Sequence, residues 1–172
     1  MQIPLRTAST VEAYIANEEW RSARLSHCPL HPDGGCSLCR HGSYERLTTP
    51  GVRIARWYCR EGRRTFSLLP DFLAARLPGL LATIEDSVIL AGSARSMEAA
   101  ADVLRGLDIS LPCAVRWLRR RVSAVRASIA AAAAIAPRLM SSFMAEATSR
   151  SDAAPVLLRL RTELTSEILD RI

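Results

Sequence analysis

Apolar residues in the second half of the chain recur at spacings of three and four, which predicts amphipathic helices. The clearest series is one continuous stripe made by Leu111, Val115, Leu118, Val122, Val125 and Ile129. Two shorter helices are predicted before it, over residues 83–91 and 97–105, and each is followed by a glycine. Three helices in this order, with a short turn before the last, are typical of a helix-turn-helix.

Residues 43–69 predict a small β-sheet instead. Apolar positions there alternate with polar ones, as on a half-buried strand, and Pro50-Gly51 is a turn signal between two such stretches. The predicted strands are residues 43–49, 52–59 and 63–69.

The remaining segments predict further helices. A short one is expected over residues 10–20, capped by Thr10, and a brief one over residues 70–78. Beyond residue 123 the Ala-rich sequence favours a helix that Pro137 interrupts. A linker at 149–154 and a final helix over 155–172 complete the chain, and the apolar side of that helix belongs either to a core or to a dimer contact.

Cysteine and histidine are concentrated around the predicted sheet. Four of the five cysteines and all three histidines lie between His27 and Phe66. Pairs of ligands separated by two residues form the tight turns that hold structural Zn²⁺ in a tetrahedron. Five residues are candidate ligands: Cys28, His31, Cys36, Cys39 and Cys59.

Four of these candidates are favoured on the ground of spacing. Gly62 lies where a second cysteine would follow Cys59 in an ordinary zinc ribbon, so Cys59 is expected to contribute one ligand and the preceding segment three. Cys28, His31 and Cys36 are the preferred three, with Cys39 as a substitute for Cys36. Two alternatives stay open: a site degraded at Gly62, and cysteines that are buried apolar residues without a metal.

Basic charge is concentrated on the predicted third helix. The formal net charge is +6, and all 23 basic residues are arginines, whose planar guanidinium suits phosphate and guanine. Opposite the apolar stripe, side chains early in this helix would face the major groove of double-stranded DNA. The candidate DNA-binding residues are Cys113, Arg116, Trp117, Arg119, Arg120 and Arg121. The alternative is a solvated basic face on an ordinary helical bundle.

The number of cysteines and the lengths of the apolar runs predict where in the cell the protein is located. An odd number of cysteines fits a disulfide framework poorly, and residues 1–8 lack the basic start and apolar run of a secretory signal. The Ala-rich run is too short to cross a membrane. A cytoplasmic protein with reduced thiols is therefore expected, with no membrane partner.

The order of these features resembles a known group of proteins. Its signs are the cysteine-rich stretch followed by HGSYER, RWYC, TFSLLPDFLA and AVRWLRRRV. In this order they are similar to the zinc-ribbon and helix-turn-helix proteins of bacterial insertion sequences, including the amino-terminal DNA-binding parts of transposases. The resemblance covers roughly Cys28 to Arg126. It implies zinc bound at Cys28 and Cys59, with His31 at the other position of the first turn, and a last helix that reads DNA.

These observations combine into one interpretation. The fold class is α+β: a small zinc-ribbon hairpin domain (residues 1–69), an all-α helix-turn-helix domain (70–130) and a C-terminal helical extension (131–172). The expected function is DNA binding associated with a transposable element, with a structural Zn²⁺ and no catalytic domain. The alternative is a module that binds a partner protein, either a transposase subunit or a second copy of the chain.

Overall fold

The computed structural model describes residues 1–75, 77–107, 113–138 and 140–141. The chain is α+β, as predicted, with a four-stranded sheet preceding three longer helices. It divides into two compact units, which we call the sheet unit (Met1–Leu80) and the helical unit (Leu81–Ile172). The predicted 149–154 linker and 155–172 helix lie outside the described residues.

Four strands form the sheet, in the spatial order β1-β4-β3-β2. Strands β2, β3 and β4 are antiparallel neighbours, as expected for a hairpin with a third strand, and β1 pairs in parallel with β4. Their bounds are β1 Gln2–Leu5, β2 Leu38–Glu45, β3 Arg53–Cys59 and β4 Arg64–Pro70. The strand β1 was not predicted, because four residues that include a proline give too short a pattern to read.

Part of the core of this unit lies on one face of the sheet. Trp57 pairs with Phe66 and Ala55 with Leu68, and all four side chains are buried. Since directly paired residues point to the same side of a sheet, these side chains form one apolar layer.

Helix α1 (Val11–Ala16) closes part of this core. Thr10 caps it, as predicted, by accepting a hydrogen bond from the N–H of Ala13. Tyr14 lies against Trp20 and Phe72, with ring centroids 5.9 and 5.4 Å apart. The observed helix is shorter than the predicted one, because residues 19–21 form a separate 3₁₀ turn.

A β-bulge interrupts the pairing of β2 with β3. Arg40 pairs with Trp57, but Ser43 pairs with Ala55, so β2 contains one more residue than its partner in this interval. Gly42 has φ of +77°, a conformation that other residues rarely adopt. The bulge therefore depends on a glycine within HGSYER.

The predicted helix over residues 70–78 is wrong. β4 continues through Pro70, and the described residues from 71 to 80 form turns and an isolated bridge between Leu73 and Leu80. The guanidinium of Arg46 donates hydrogen bonds to the carbonyl oxygens of Ala74 and Leu77, at 2.9 and 3.1 Å. These contacts tie the described part of the segment to Arg46.

Within its described residues, the helical unit contains three helices: α2 (Leu81–Ser93), α3 (Met97–Leu107) and α4 (Ala114–Ile135). Ala100 of α3 and Leu118 and Val122 of α4 form its buried centre, against which α2 also packs. The middle of the predicted stripe is thus buried. Its first residue, Leu111, lies outside the described residues.

The ends of the helices agree with local signals. The hydroxyl of Ser96 accepts a hydrogen bond from the N–H of Ala99 at the start of α3, as an N-cap residue does. Helix α4 stops at Ile135, before Pro137, because a residue that precedes proline is disfavoured in helical geometry. Among the residues that the structure describes, no helix is both long and apolar enough to cross a bilayer.

Candidate metal centre and candidate nucleic-acid interface

Cys28 and His31 are brought together by a tight turn. The N–H of His31 donates to the carbonyl oxygen of Cys28 at 3.0 Å, and the N–H of Gly34 donates to that of His31 at 3.1 Å. Gly34 and Gly35 have φ of +90° and +79°, which lets the chain reverse immediately after His31. Proline and glycine residues around the two ligands thus give the local geometry.

Cys36 precedes β2 and Cys59 ends β3, so the two residues lie at the same end of this strand pair. Cys59 is the last residue of β3 and pairs with Leu38, the first residue of β2. Cys36 lies two residues before β2, in a loop that is tied to the far end of β3. There the N–H of Ser37 donates to Oε2 of Glu61 at 2.8 Å, and the N–H of Arg60 donates to the carbonyl oxygen of Ser37 at 3.4 Å.

The four side chains form a compact Cys₃His cluster. The Sγ atoms of Cys28, Cys36 and Cys59 and a ring nitrogen of His31 all lie within 4.8 Å of one another. Nδ1 of His31 is 3.5 Å from Sγ of Cys28 and 3.5 Å from Sγ of Cys59. This is the set of four that the spacing favours.

These distances fit a tetrahedral metal ion. On zinc with bonds of about 2.3 Å to sulfur and about 2.1 Å to nitrogen, a sulfur and a nitrogen ligand lie about 3.6 Å apart and two sulfurs about 3.8 Å. Cys28 and Cys59 are buried, and Cys36 and His31 are half-buried. The donor set and its dimensions therefore suit a structural zinc site with His31 as an Nδ1 ligand.

Burial and mutual hydrogen bonds shift the pKa values of two thiols in the cluster. Desolvation raises the pKa of Cys28, but hydrogen bonds from His31 and from its other neighbours outweigh it and lower the pKa to about 7. Desolvation and hydrogen bonds with Cys28 and Cys59 raise the pKa of Cys36 to about 12. Three thiols this close cannot all ionise unless a cation lies between them. A divalent metal ion bound by the four side chains would supply that charge.

Cys39 does not join the cluster. It lies on β2 opposite Tyr58, and its Sγ donates to the carbonyl oxygen of Tyr58 at 3.6 Å. The ring of His41 packs on Tyr58, and Nδ1 of His27 bonds to the hydroxyl of Ser26. Cys39 and the two other histidines of the cysteine-rich stretch thus have other contacts.

Two residues beside the cluster were not predicted to act on it. The N–H of Gly62 donates to Sγ of Cys59 at 3.3 Å. The carboxylate of Glu61 is 3.9 Å from the same sulfur, and its hydrogen bond from the Ser37 N–H is the main cause that lowers its pKa. The spacing Cys59-Arg-Glu-Gly62 is the only sequence signal for these contacts.

The helical unit presents an exposed basic face. Arg116, Arg119 and Arg120 of α4 are exposed, together with Cys113 immediately before the helix. With Arg105 of α3, these arginines line an open groove, and we call Arg105, Arg116, Arg119 and Arg120 the arginine surface. Arg119 is 3.1 Å from the carboxylate of Glu98, whereas no ion pair within the described residues involves Arg116 or Arg120.

Trp117 and Arg121 have different surroundings from the exposed arginines. Arg121 is only 6% exposed, and its guanidinium carbon lies 3.4 Å from the centroid of the half-buried Trp117 ring. Burial lowers the pKa of the Arg121 guanidinium. The pair is a cation–π contact within the helical unit.

Comparison of the chain with known protein families, with characterised proteins and with solved structures found no match. The function has to be inferred from the Cys₃His cluster and the arginine surface themselves.

Proposed function

We propose that the chain is a DNA-binding protein with one structural Zn²⁺, held by Cys28, His31, Cys36 and Cys59. The observation that carries the metal is the cluster of four ligand atoms within 4.8 Å of one another, two of them on buried thiols. Four protein ligands occupy every position of a tetrahedral ion, whereas catalytic zinc keeps one position for water. The proposed role of the ion is therefore to stabilise the fold.

Double-stranded DNA is the proposed partner of the arginine surface. Arg116 and Arg120 are exposed and lie one turn apart on α4, while Leu118 and Val122 hold the opposite side of this helix in the core. A helix fixed in this way can enter the major groove with its arginines at phosphates and base edges. Because Arg121 is buried, the proposal rests on Arg116, Arg119 and Arg120 among the arginines of α4.

The biological setting is proposed from the resemblance to proteins of bacterial insertion sequences. In that setting the chain would bind DNA for a transposable element without catalysing strand transfer. The cysteine-rich sheet followed by three packed helices supports this reading. A module that binds a transposase subunit is the second candidate, and the DNA experiment below separates the two.

The metal proposal is tested by elemental analysis of the purified chain. We expect one Zn²⁺ per chain, and we expect its removal by a chelator to abolish the near-ultraviolet circular dichroism of Trp20 and Trp57, both buried in the sheet unit. A chain that keeps this signal without metal would contradict a structural role.

The DNA proposal is tested by titrating a labelled duplex at several salt concentrations. If the four arginines of the arginine surface contact phosphates, the log–log slope of the binding constant against salt is about −3.6. In the double variant Arg116→Ala/Arg120→Ala, the magnitude of the slope should fall by about 2. Arg24→Gln, an exposed charge of the sheet unit, is the matched control and should bind like the wild type.

Two results would decide against DNA. Unchanged duplex binding by the double variant would exclude α4 as the interface. Failure of the wild type to bind any duplex in dilute buffer would favour the protein-binding module.

A further inference from the structure

The sheet unit has a second surface, on the side of the sheet away from Trp57 and Phe66. Arg56 pairs with Ser67 on β4, and Tyr58 pairs with Thr65 on β4 and with Cys39 on β2. Directly paired residues share a side of a sheet, so these five side chains lie together, and the ring of His41 packs on Tyr58. We call this six-residue surface the outer face: Cys39, His41, Arg56, Tyr58, Thr65 and Ser67.

The composition of the outer face differs from that of the core face. Its six side chains are half-buried or exposed, whereas Ala55, Trp57, Phe66 and Leu68 on the other side are buried. It combines two neighbouring rings with a guanidinium and two hydroxyls, and none of the six carries a negative charge. Isolated polar residues would suit plain solvent exposure, but adjacent rings on a flat surface are suited to a planar ligand.

The two rings occupy neighbouring strands at stacking distance. The centroids of His41 and Tyr58 are 5.5 Å apart, with ring planes inclined by 36°. His41 belongs to the bulge that Gly42 permits, so the bulge places an extra residue of β2 beside Tyr58. The bulge thus contributes a ring to the outer face.

Positive charge continues beyond the rings. The turn after Cys59 carries the exposed residues Arg60 and Arg63, and Arg56 lies next to the rings on β3. Glu61 lies in the same turn, but its carboxylate accepts the hydrogen bond from Ser37 beside the cluster. The outer face and this turn together form a basic strip with aromatic rings, which is complementary in charge to a phosphate backbone.

We infer that the outer face binds single-stranded DNA, with bases stacked on Tyr58 and His41 and phosphates paired with Arg56 and the arginines of the turn. Unpaired bases expose the flat faces that rings can stack on, whereas a duplex hides them. The choice of DNA over RNA rests on the proposed function, since it assigns duplex DNA to the same chain. The site itself lies in the other unit and is independent of α4.

The test measures binding of a labelled oligo(dT) of about 12 nucleotides to the full zinc-loaded chain. Tyr58→Leu keeps an apolar side chain that suits a strand but removes the ring, and we expect affinity to fall about tenfold. Tyr58→Phe keeps the ring and should stay within about twofold of the wild type. Arg24→Gln, near the Ala23 carbonyl that Trp57 contacts on the opposite side of the sheet, is the charge control.

A second pair of variants separates stacking from charge. Arg56→Gln should weaken binding and reduce the magnitude of the salt slope by about 0.7, the value for one phosphate contact on a single strand. His41→Ala removes a ring and should weaken binding with no change in that slope. Zinc content and circular dichroism establish that each variant is folded. If Tyr58→Leu does not fold, the exposed His41 provides the ring test.

Failure of this inference is distinguishable from failure of the proposed function. Tyr58→Leu should leave duplex binding unchanged, and Arg116→Ala/Arg120→Ala should leave oligo(dT) binding unchanged. The inference is overturned if the wild type does not bind oligo(dT) in dilute buffer. It is also overturned if Leu and Phe at position 58 have equal effects, or if oligo(rU) binds at least about tenfold more tightly than oligo(dT).

Discussion

The amide N–H of Gly62 donates a hydrogen bond to the Sγ atom of Cys59 over 3.3 Å. An added Cβ at Gly62 would lie 3.3 Å from that sulfur and 2.5 Å from Cδ1 of Leu30. Gly62 lies where an ordinary zinc ribbon has a cysteine, and it supplies a backbone N–H donor to the sulfur of Cys59. Such a donor favours the thiolate that a metal needs.

The contribution of this donor can be measured with two substitutions at one position. Gly62→Pro removes the N–H, and we expect zinc affinity to fall about 10- to 100-fold in a competition with a chelator. Gly62→Ala keeps the N–H, but it requires the tip of the exposed Leu30 side chain to move and Sγ of Cys59 to shift by a few tenths of an ångström. The Ala variant should therefore lose much less zinc affinity than the Pro variant, and equal losses in both variants would contradict the role of the hydrogen bond.

The two half-exposed cysteines near β2 should behave oppositely when replaced. Cys36→Ser removes a ligand from the Cys₃His cluster, so purified protein should contain much less than one zinc per chain and should unfold at a lower temperature. Cys39→Ser leaves the cluster intact and retains a donor toward the Tyr58 carbonyl. Its zinc content should stay at one per chain, and zinc loss in this variant would show that Cys39 is a ligand.

Arg40 should stabilise the sheet unit through backbone contacts. Its guanidinium donates to the carbonyl oxygens of Trp20, Arg21 and Ala23, at 2.5, 2.8 and 3.4 Å. Arg40→Met leaves these acceptors without their donor, and the free energy of unfolding should fall by about 1–3 kcal/mol in urea titrations. Arg24→Gln, the exposed control, should change it by less than about 0.5 kcal/mol. Similar values for the two variants would argue against this role.

Tyr14 should make the stability of the sheet unit sensitive to alkaline pH. Desolvation, and then the charge of Glu19, raise its pKa from 10.0 to about 12, so the folded chain keeps a proton that the unfolded chain loses. The stabilisation is complete below about pH 10 and declines as the pH rises toward 12.

The matched variant for this titration is Tyr14→Phe. It removes the hydroxyl that donates to the carbonyl oxygen of Arg53 at 3.0 Å, so it should be less stable than the wild type at neutral pH. Since Phe does not ionise, the difference in unfolding free energy between the two proteins should shrink between pH 10 and 12. A constant difference across this range would contradict a raised pKa.

Most of the Cys₃His cluster could be predicted from the sequence, because its ligands lie among residues that favour turns. Two-residue spacing gave Cys28 and His31, and the absence of a cysteine at position 62 required three ligands from the preceding segment. Choosing between Cys36 and Cys39 depended on where β2 begins. The strand was predicted from residue 43, but it starts at Leu38, which places Cys39 in the sheet.

Other features depend on contacts that no local pattern contains. The segment after Pro70 resembles the start of a helix, yet Arg46 binds its carbonyl oxygens from across the sheet unit. Helical spacing places Arg121 on the flank of the predicted stripe beside Trp117, but it does not tell that packing with Trp117 buries this arginine. DNA binding and the link to a mobile element stay predictions.

The pairing of Cys59 with Leu38 has a consequence for how the sheet assembles. Cys36 precedes Leu38 by two residues, so the hairpin that aligns β2 with β3 also delivers two thiols to the same point. A slip of one residue between these strands would turn side chains to the opposite side and separate the ligands. Metal binding would thus stabilise the hairpin only when β2 and β3 are paired in the correct register.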